Sequence, residues 1–400
     1  MMAAERCFVT AGRVDHDEQV AQDSAYRAVP SRTPCNRQRR SEAGTITAFI
    51  NTLNSRRDPM NKKIAVLGCG AIGSSVSADL TQAGFDVTVI DQWPAQVEKI
   101  RTDGIEVTMP DGVVKTRINA LHLCDLSSAR LMFDIVFMCV KSNDHRWLAE
   151  FIKPYLKPDG MFVAIQNGFN EESLGSIIGK ERLVGCVVEL SAEIFNPGFV
   201  KRNTTHKTTW FSVGEHDGFL TSRVKEIQAL LNHVGVCEIT GTIQSAKWTK
   251  LIANSMTMGP FGLLGLGNTE AAHLPGMFEL SVALGKESAA VGEAMGLRME
   301  PIFGLRADEF AGSIEENIVT AMKTLLGHVS RGRTAPIHDH MKGRISEMAF
   351  ISGLVARKGK ELGIATTCNA AVAEIDRRIN SSELPMDRSN FELLKQMTAR

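Results

Sequence analysis

Ile64-Ala65-Val66-Leu67-Gly68-Cys69-Gly70-Ala71-Ile72-Gly73 decides the fold. Four consecutive apolar residues form a short strand of the kind buried on both faces in a parallel sheet, and a G-x-G-x-x-G turn follows at once. Gly68 permits the tight bend, Gly70 lets backbone approach a pyrophosphate, and Gly73 lets the next helix pack closely on the strand. That helix, Ala71 to Ala83, ends at Gly84, and Asp86 to Ile90 supplies a second strand, completing a βαβ unit. The turn is therefore read as a dinucleotide site. Gly68, Cys69, Gly70, Ala71, Ile72 and Gly73 hold the pyrophosphate, aided by the positive end of the helix dipole. Asp91 stands 18 residues beyond Gly73 at the end of the second strand, where a carboxylate accepts hydrogen bonds from the adenosine ribose. This favours NAD over NADP, because the nearest candidate cation, Arg101, is placed too far along the next helix for a 2′-phosphate. Cys69 is expected to be a small buried thiol beside the cofactor.

Further strands are expected at Ile135 to Val140, Met161 to Ile165 and Leu183 to Val188, with helices or loops between. This alternation predicts an N-terminal Rossmann-type, doubly wound parallel sheet. Beyond Gly241 the period becomes helical, with segments at Ser245 to Asn254, Pro275 to Met295, Arg306 to Leu326, Met341 to Leu362 and Ala370 to Ile379. The expected division is a disordered extension over 1–59, a dinucleotide-binding domain over 60–241 and an all-helical substrate domain over 242–400, with the hinge near Val236 to Thr242. The extension carries nine Arg, no Lys and no sustained hydrophobic period, and Met60 directly precedes the first strand, marking it as the expected natural start.

Lys plus Arg equals Asp plus Glu at 45 each, so the net field gives no reason to expect nucleic acid or an anionic membrane as partner. The eight Cys lack C-x-x-C spacing and no secretory signal is evident, which suits a reduced, cytoplasmic protein without structural zinc. Leu251 to Leu266 is the most apolar stretch, and Asn254, Pro260 and several Gly interrupt it, so no spanning helix is expected. In Ile337-His338-Asp339-His340 the alternating histidines have no evident third ligand and read as the start of a helix, so no metal is expected. The partner expected is a small molecule, with a homodimer as the candidate assembly.

Lys247-Trp248-Thr249-Lys250-Leu251-Ile252-Ala253-Asn254 opens the helical region and places Lys250 and Asn254 one turn apart on a shared face. Carbonyl reduction needs a proton donor for the developing alkoxide and dipoles to stabilise it, which an ammonium beside an amide supplies. From Met60 to about Ile379 the sequence resembles the ketopantoate reductase (2-dehydropantoate 2-reductase) family. The glycine turn, Val140-Lys141, Gln166-Asn167-Gly168, Trp248-Thr249-Lys250 with Asn254, Asn268, and Gly343-Arg344-Ile345-Ser346-Glu347 match its motifs in order. The resemblance implies that Lys250 is the general acid, that Asn254, Asn268 and Glu347 shape the substrate pocket, and that Asn167 and Lys141 lie beside the nicotinamide. A cleft carboxylate at Glu347 would hold the Lys250 ammonium or bind a substrate hydroxyl; without the resemblance, Glu347 reads as an exposed helix residue pairing with Arg344.

Three positions depart from the pattern. Ala335 stands where the family has a Ser, Met258 where it has a second Asn, and Ile351-Ser352-Gly353 where it has I-N-G. The family commonly takes NADPH, whereas Asp91 favours NAD. The leading expectation is an NAD(P)H-dependent 2-oxo acid reductase with 2-dehydropantoate as substrate. An NAD-dependent dehydrogenase of bulky (R)-2-hydroxy acids and a non-catalytic dinucleotide sensor are the alternatives, the latter opposed by retention of Lys250, Asn254 and Glu347.

Overall fold

The computed structural model describes residues 62–301, 312–327 and 332–399. The extension expected over 1–59 lies outside them. Twelve strands follow in chain order: β1 (Lys63–Leu67), β2 (Asp86–Asp91), β3 (Ile105–Met109), β4 (Gly112–Thr116), β5 (Asn119–His122), β6 (Phe133–Met138), β7 (Leu156–Ala164), β8 (Leu183–Glu189), β9 (Ala192–Asn196), β10 (Phe199–Arg202), β11 (Trp210–Gly214) and β12 (Val236–Ile239). The large sheet has the order β12-β11-β8-β7-β6-β1-β2-β5. From β5 to β8 every pairing is parallel, and only β11 joins antiparallel, on β8.

Alternate residues of β1 enter two different cores, which shows directly why it is apolar from Ile64 to Leu67. Ile64 and Val66 pack with Val76 and Leu80 of helix Ala71–Gln82. Ala65 and Leu67 pack on the opposite face with Leu148 and Ile152 of helix His145–Ile152 and Leu174 of helix Glu171–Ile178. Burial of each large aliphatic side chain contributes about 1.5–3 kcal/mol, so both faces hold the strand in place. The chain departs from β1 toward β2 on one side and reaches β6 on the other. This reversal opens a crevice at the carboxyl ends of the strands, where ligands bind in such sheets.

A second sheet, β4-β3-β10-β9, covers helix Ala71–Gln82, in stretches where the sequence pattern predicts only helices or loops. Its strands are short and partly exposed; in β4 only Val114 is buried, so no clean alternation marks it. The expected hinge over Val236 to Thr242 contains β12, which lies parallel to β11.

The helical region is built on Ile243–Gly262, which extends in both directions beyond the expected Ser245 to Asn254, and packs on Met277–Ala294. Trp248 donates its indole N–H to the Ser288 carbonyl at 2.9 Å and fills the space left by Gly292, where a Cβ would lie 2.2 Å from Trp248 Nε1. Helices Ile314–Gly327 and Thr367–Asn380 answer two further expected segments, although residues 306–311 of the former segment lie outside the described residues. The single helix expected over Met341 to Leu362 is overturned. Helix Ala335–Met341 ends there, Gly343 adopts a φ of +65°, a 3₁₀ turn spans Met348–Phe350 and a new helix runs over Ser352–Leu362. The periodic pattern continues through the break because Met348 and Ile351 are core residues of the turn itself. Among the described residues no helix is long and apolar enough to cross a membrane.

Candidate active site

The crevice deepens into a cavity of about 900 Å³ that runs from the glycine turn to helix Ile243–Gly262. At one end, Gly68 has a φ of +91° and a Cβ there would strike Val140 Cγ1 at 2.5 Å. Gly73 faces away from the cavity, where a Cβ would lie 1.9 Å from the Gly68 carbonyl oxygen, so its role is close packing of helix on strand. A Cβ at Gly70 would meet nothing within 4 Å, which leaves the approach open for a ligand. Helix Ala71–Gln82 has no side-chain cap and no acidic residue in its first turn, so its terminal N–H groups are available to phosphate oxygens. These features fit the pyrophosphate of a dinucleotide.

Asp91 is buried beside this turn, and its carboxylate accepts from the backbone N–H of Cys69 and, at 2.7 Å, from that of Trp93. Burial pushes its carboxyl above the ordinary value, against the pull of those N–H groups and of Arg344. Asp91 thus fixes the turn as well as lining the cavity. Arg101 is held elsewhere, by Asp125, by Glu98 at 3.0 Å and by the Ala120 carbonyl at 2.9 Å. Arg344, from the helical region, lies over the Trp93 ring at 5.3 Å and also lines the cavity. Cys69 is fully buried behind the turn, where desolvation and the Asp91 charge push its thiol up to about 12. A thiol so protonated is a packing group.

In the middle of the cavity, Lys141 Nζ donates to Asp339 Oδ2 at 2.9 Å and Glu347 Oε2 at 2.8 Å, while the second oxygen of Glu347 accepts the Ser142 N–H at 2.9 Å. Glu347 is 3 % exposed, not an exposed partner of Arg344. Burial pulls the Lys141 ammonium toward neutrality, and the two carboxylates outweigh it, so its pKa is raised. For Asp339 burial dominates and raises the carboxyl. The Gln166-Asn167-Gly168 loop is tied from both sides. Ser142 Oγ donates to the Asn167 carbonyl at 2.9 Å, and Asn254 Nδ2 donates to Asn167 Oδ1 at 3.2 Å. Lys247, buried on helix Ile243–Gly262, donates to the Gln166 carbonyl at 3.1 Å and pairs with the buried Glu171 at 2.5 Å. The side-chain oxygen of Gln166 is buried without a partner, next to a cavity that could supply one.

The far end holds Lys250, Asn254 and Asn268, all facing the cavity, with Ala335 and Met258 in its wall. The Lys250 ammonium pairs with Glu189, at the end of β8, while Glu347 belongs to Lys141. Of the carboxylates that could hold Lys250, the structure uses one that sequence reasoning missed. His338 and His340 are also placed: His338 faces Glu193 at 3.4 Å, and His340 lies 3.1 Å from the buried Asp376, which accepts from Ser346 at 2.7 Å. Burial lowers the pKa of His338. Thus all the expected site residues except Cys69 and Gly73 line one cavity, and those two sit behind it. Among the missed residues, Lys247 was legible as the i−3 neighbour of Lys250, whereas Glu189 and Asp339 carried no local signal.

Residues 64–216 match the family model described as ketopantoate reductase PanE/ApbA, and residues 242–380 match the model of its C-terminal part. A 2-dehydropantoate 2-reductase of Archaeoglobus fulgidus is 25 % identical over 323 residues, covering 80 % of this chain and 98 % of that protein. One from Pyrococcus horikoshii is 27 % identical over 297 residues, covering 74 % and 93 %. Among solved structures, a PanE/ApbA family ketopantoate reductase from Ralstonia eutropha JMP134 superposes with a TM-score of 0.69 at 24 % identity, covering 80 % of this chain and 99 % of that one. D-mandelate dehydrogenase bound to NADH and anilino(oxo)acetate shares the fold with a TM-score of 0.69 at 18 % identity, over 80 % and 99 %. The two matched models span both halves of the cavity, and the chain belongs to the ketopantoate reductase family, as an oxidoreductase of the 2-dehydropantoate 2-reductase type.

Proposed function

We propose that the chain reduces the 2-oxo group of a small carboxylic acid at the expense of a nicotinamide dinucleotide, with 2-dehydropantoate as first substrate. The observation that carries this is the presence of Lys250 and Asn254, one turn apart on one helix, in the cavity that begins at the glycine turn. The glycine turn and the first N–H groups of helix Ala71–Gln82 would hold the pyrophosphate, Asp91 the adenosine ribose, and Lys141 and Asn167 the nicotinamide end. When bound, the reduced nicotinamide supplies a hydride to the carbonyl carbon. Lys250 Nζ donates a proton to the carbonyl oxygen as negative charge develops there, and the Asn254 amide orients that oxygen. Asn268 shapes the substrate end, and Glu347 acts through Lys141 and the Ser142 backbone.

Oxidation of NADH or NADPH by purified protein with 2-dehydropantoate is the direct assay. Lys250→Ala is expected to reduce kcat by about 10²–10⁴-fold with dinucleotide Kd unchanged; unaltered turnover would remove Lys250 from the role. Asp91 supports NADH as the preferred donor, which the ratio of kcat/KM for the two dinucleotides decides. A ketopantoate reductase of Staphylococcus aureus with this fold is dimeric, and we infer a homodimer here, to be checked by sedimentation. Ala335 and Met258 in the cavity wall favour a second reading, reduction of bulkier branched or aromatic 2-oxo acids. A panel of such acids beside 2-dehydropantoate separates the two.

A further inference from the structure

Glu189 closes β8, where its backbone pairs with Trp210 of β11, so the carboxylate is carried by a sheet and not by a loop. It lines the cavity and forms an ion pair with Lys250. The Lys250 side chain is 15 % exposed and that of Glu189 38 %, so the pair straddles the boundary between the cavity and solvent. Other ionisable groups of the cavity have partners of their own. Lys141 sits between Asp339 and Glu347, His338 faces Glu193, and Lys247 lies on Glu171. Lys207 and Arg333 also line the cavity.

A lysine on a four-carbon stem has many rotamers, and a carboxylate fixed on a strand selects among them. We propose that Glu189 is the positioning residue of the reductase: its carboxylate holds the Lys250 ammonium aimed along the cavity wall, ready to donate to a substrate carbonyl oxygen. This rests on Lys250 being the proton donor. Glu189 itself exchanges no proton with substrate. After Lys250 gives up its proton the neutral amine regains one from water, and the adjacent carboxylate stabilises the recharged form.

Two measurements on Glu189→Gln test this, one of which needs no substrate. Competitive acylation of lysines at pH 8, read by mass spectrometry with the exposed Lys225 as internal reference, should show Lys250 labelled about tenfold faster in the variant than in wild type, since an amine released from an ion pair meets the reagent more readily. In the 2-oxo acid assay kcat should fall about tenfold, with dinucleotide Kd unchanged. Glu189→Asp should restore most of both effects, and Glu189→Thr, a residue suited to a strand end, replaces Glu189→Gln should the latter fail to fold. Equal labelling of Lys250 with and without the carboxylate would overturn the proposal. If the wild type reduces no 2-oxo acid, the assigned reaction fails while the labelling still decides the role of Glu189.

Discussion

At the scale of single residues, the site is a set of charges whose partners determine their use. Lys250 and Lys141 are both cavity lysines, yet the first is paired with Glu189 and the second is clamped between Asp339 and Glu347. Ala335 is the simplest specificity test. Ala335→Ser adds a hydroxyl to the cavity wall and is expected to raise kcat/KM for 2-dehydropantoate relative to a bulky 2-oxo acid by about tenfold, the scale of one substrate hydrogen bond. Kinetics with both substrates measure it. Asp91→Asn keeps an acceptor for only one of the N–H groups of Cys69 and Trp93, which meet different oxygens of the carboxylate, and removes the charge proposed to face a ribose. The expected outcome is a shift in the kcat/KM ratio toward NADPH, since the 2′-phosphate no longer meets a carboxylate.

Among the elements, helix Ile243–Gly262 does two things with adjacent turns: Lys250 and Asn254 face the cavity, and Lys247 reaches across to Glu171 and the Gln166 carbonyl. Both members of the Lys247 pair are almost fully buried. Lys247→Met leaves Glu171 charged and unpaired, and should destabilise the fold by about 3–5 kcal/mol, whereas Lys247→Met combined with Glu171→Gln should recover much of that loss. Chemical denaturation of the single and double variants gives the comparison. The helix was legible from its period, and so was the shared face of Lys250 and Asn254. The break after Met341 was not, because Gly343 in a left-handed conformation and a 3₁₀ turn with a buried Met348 leave the hydrophobic spacing almost helical. That break is what delivers Glu347 to Ser142 and Lys141.

Across the whole molecule, Lys141 links the loop after β6 to Asp339 and Glu347 of the helical region, and this contact gives stability a pH dependence. The Asp339 carboxyl is already raised by burial. In Lys141→Met it loses its cation and rises further. A carboxyl raised in the folded state contributes stability that is fully present below its ordinary value of 3.8 and is lost as pH climbs through the folded value. The deficit in Tm of Lys141→Met against wild type should therefore widen from pH 5 to pH 8, as thermal unfolding at the two pH values will show; a deficit independent of pH would mean that packing alone was lost. The sequence by itself determined the βαβ unit, the Rossmann-type sheet, the helical second region and most of the residues that line the cavity. Each of these rests on local period, turn chemistry or an ordered set of motifs, which the chain carries within short spans. Only the tertiary structure decided which carboxylate meets which lysine. Glu189 is 61 residues from Lys250, and Glu347 is 206 from Lys141. Ion pairing depends on distance in space and on burial, and neither is written in the spacing of residues along the chain.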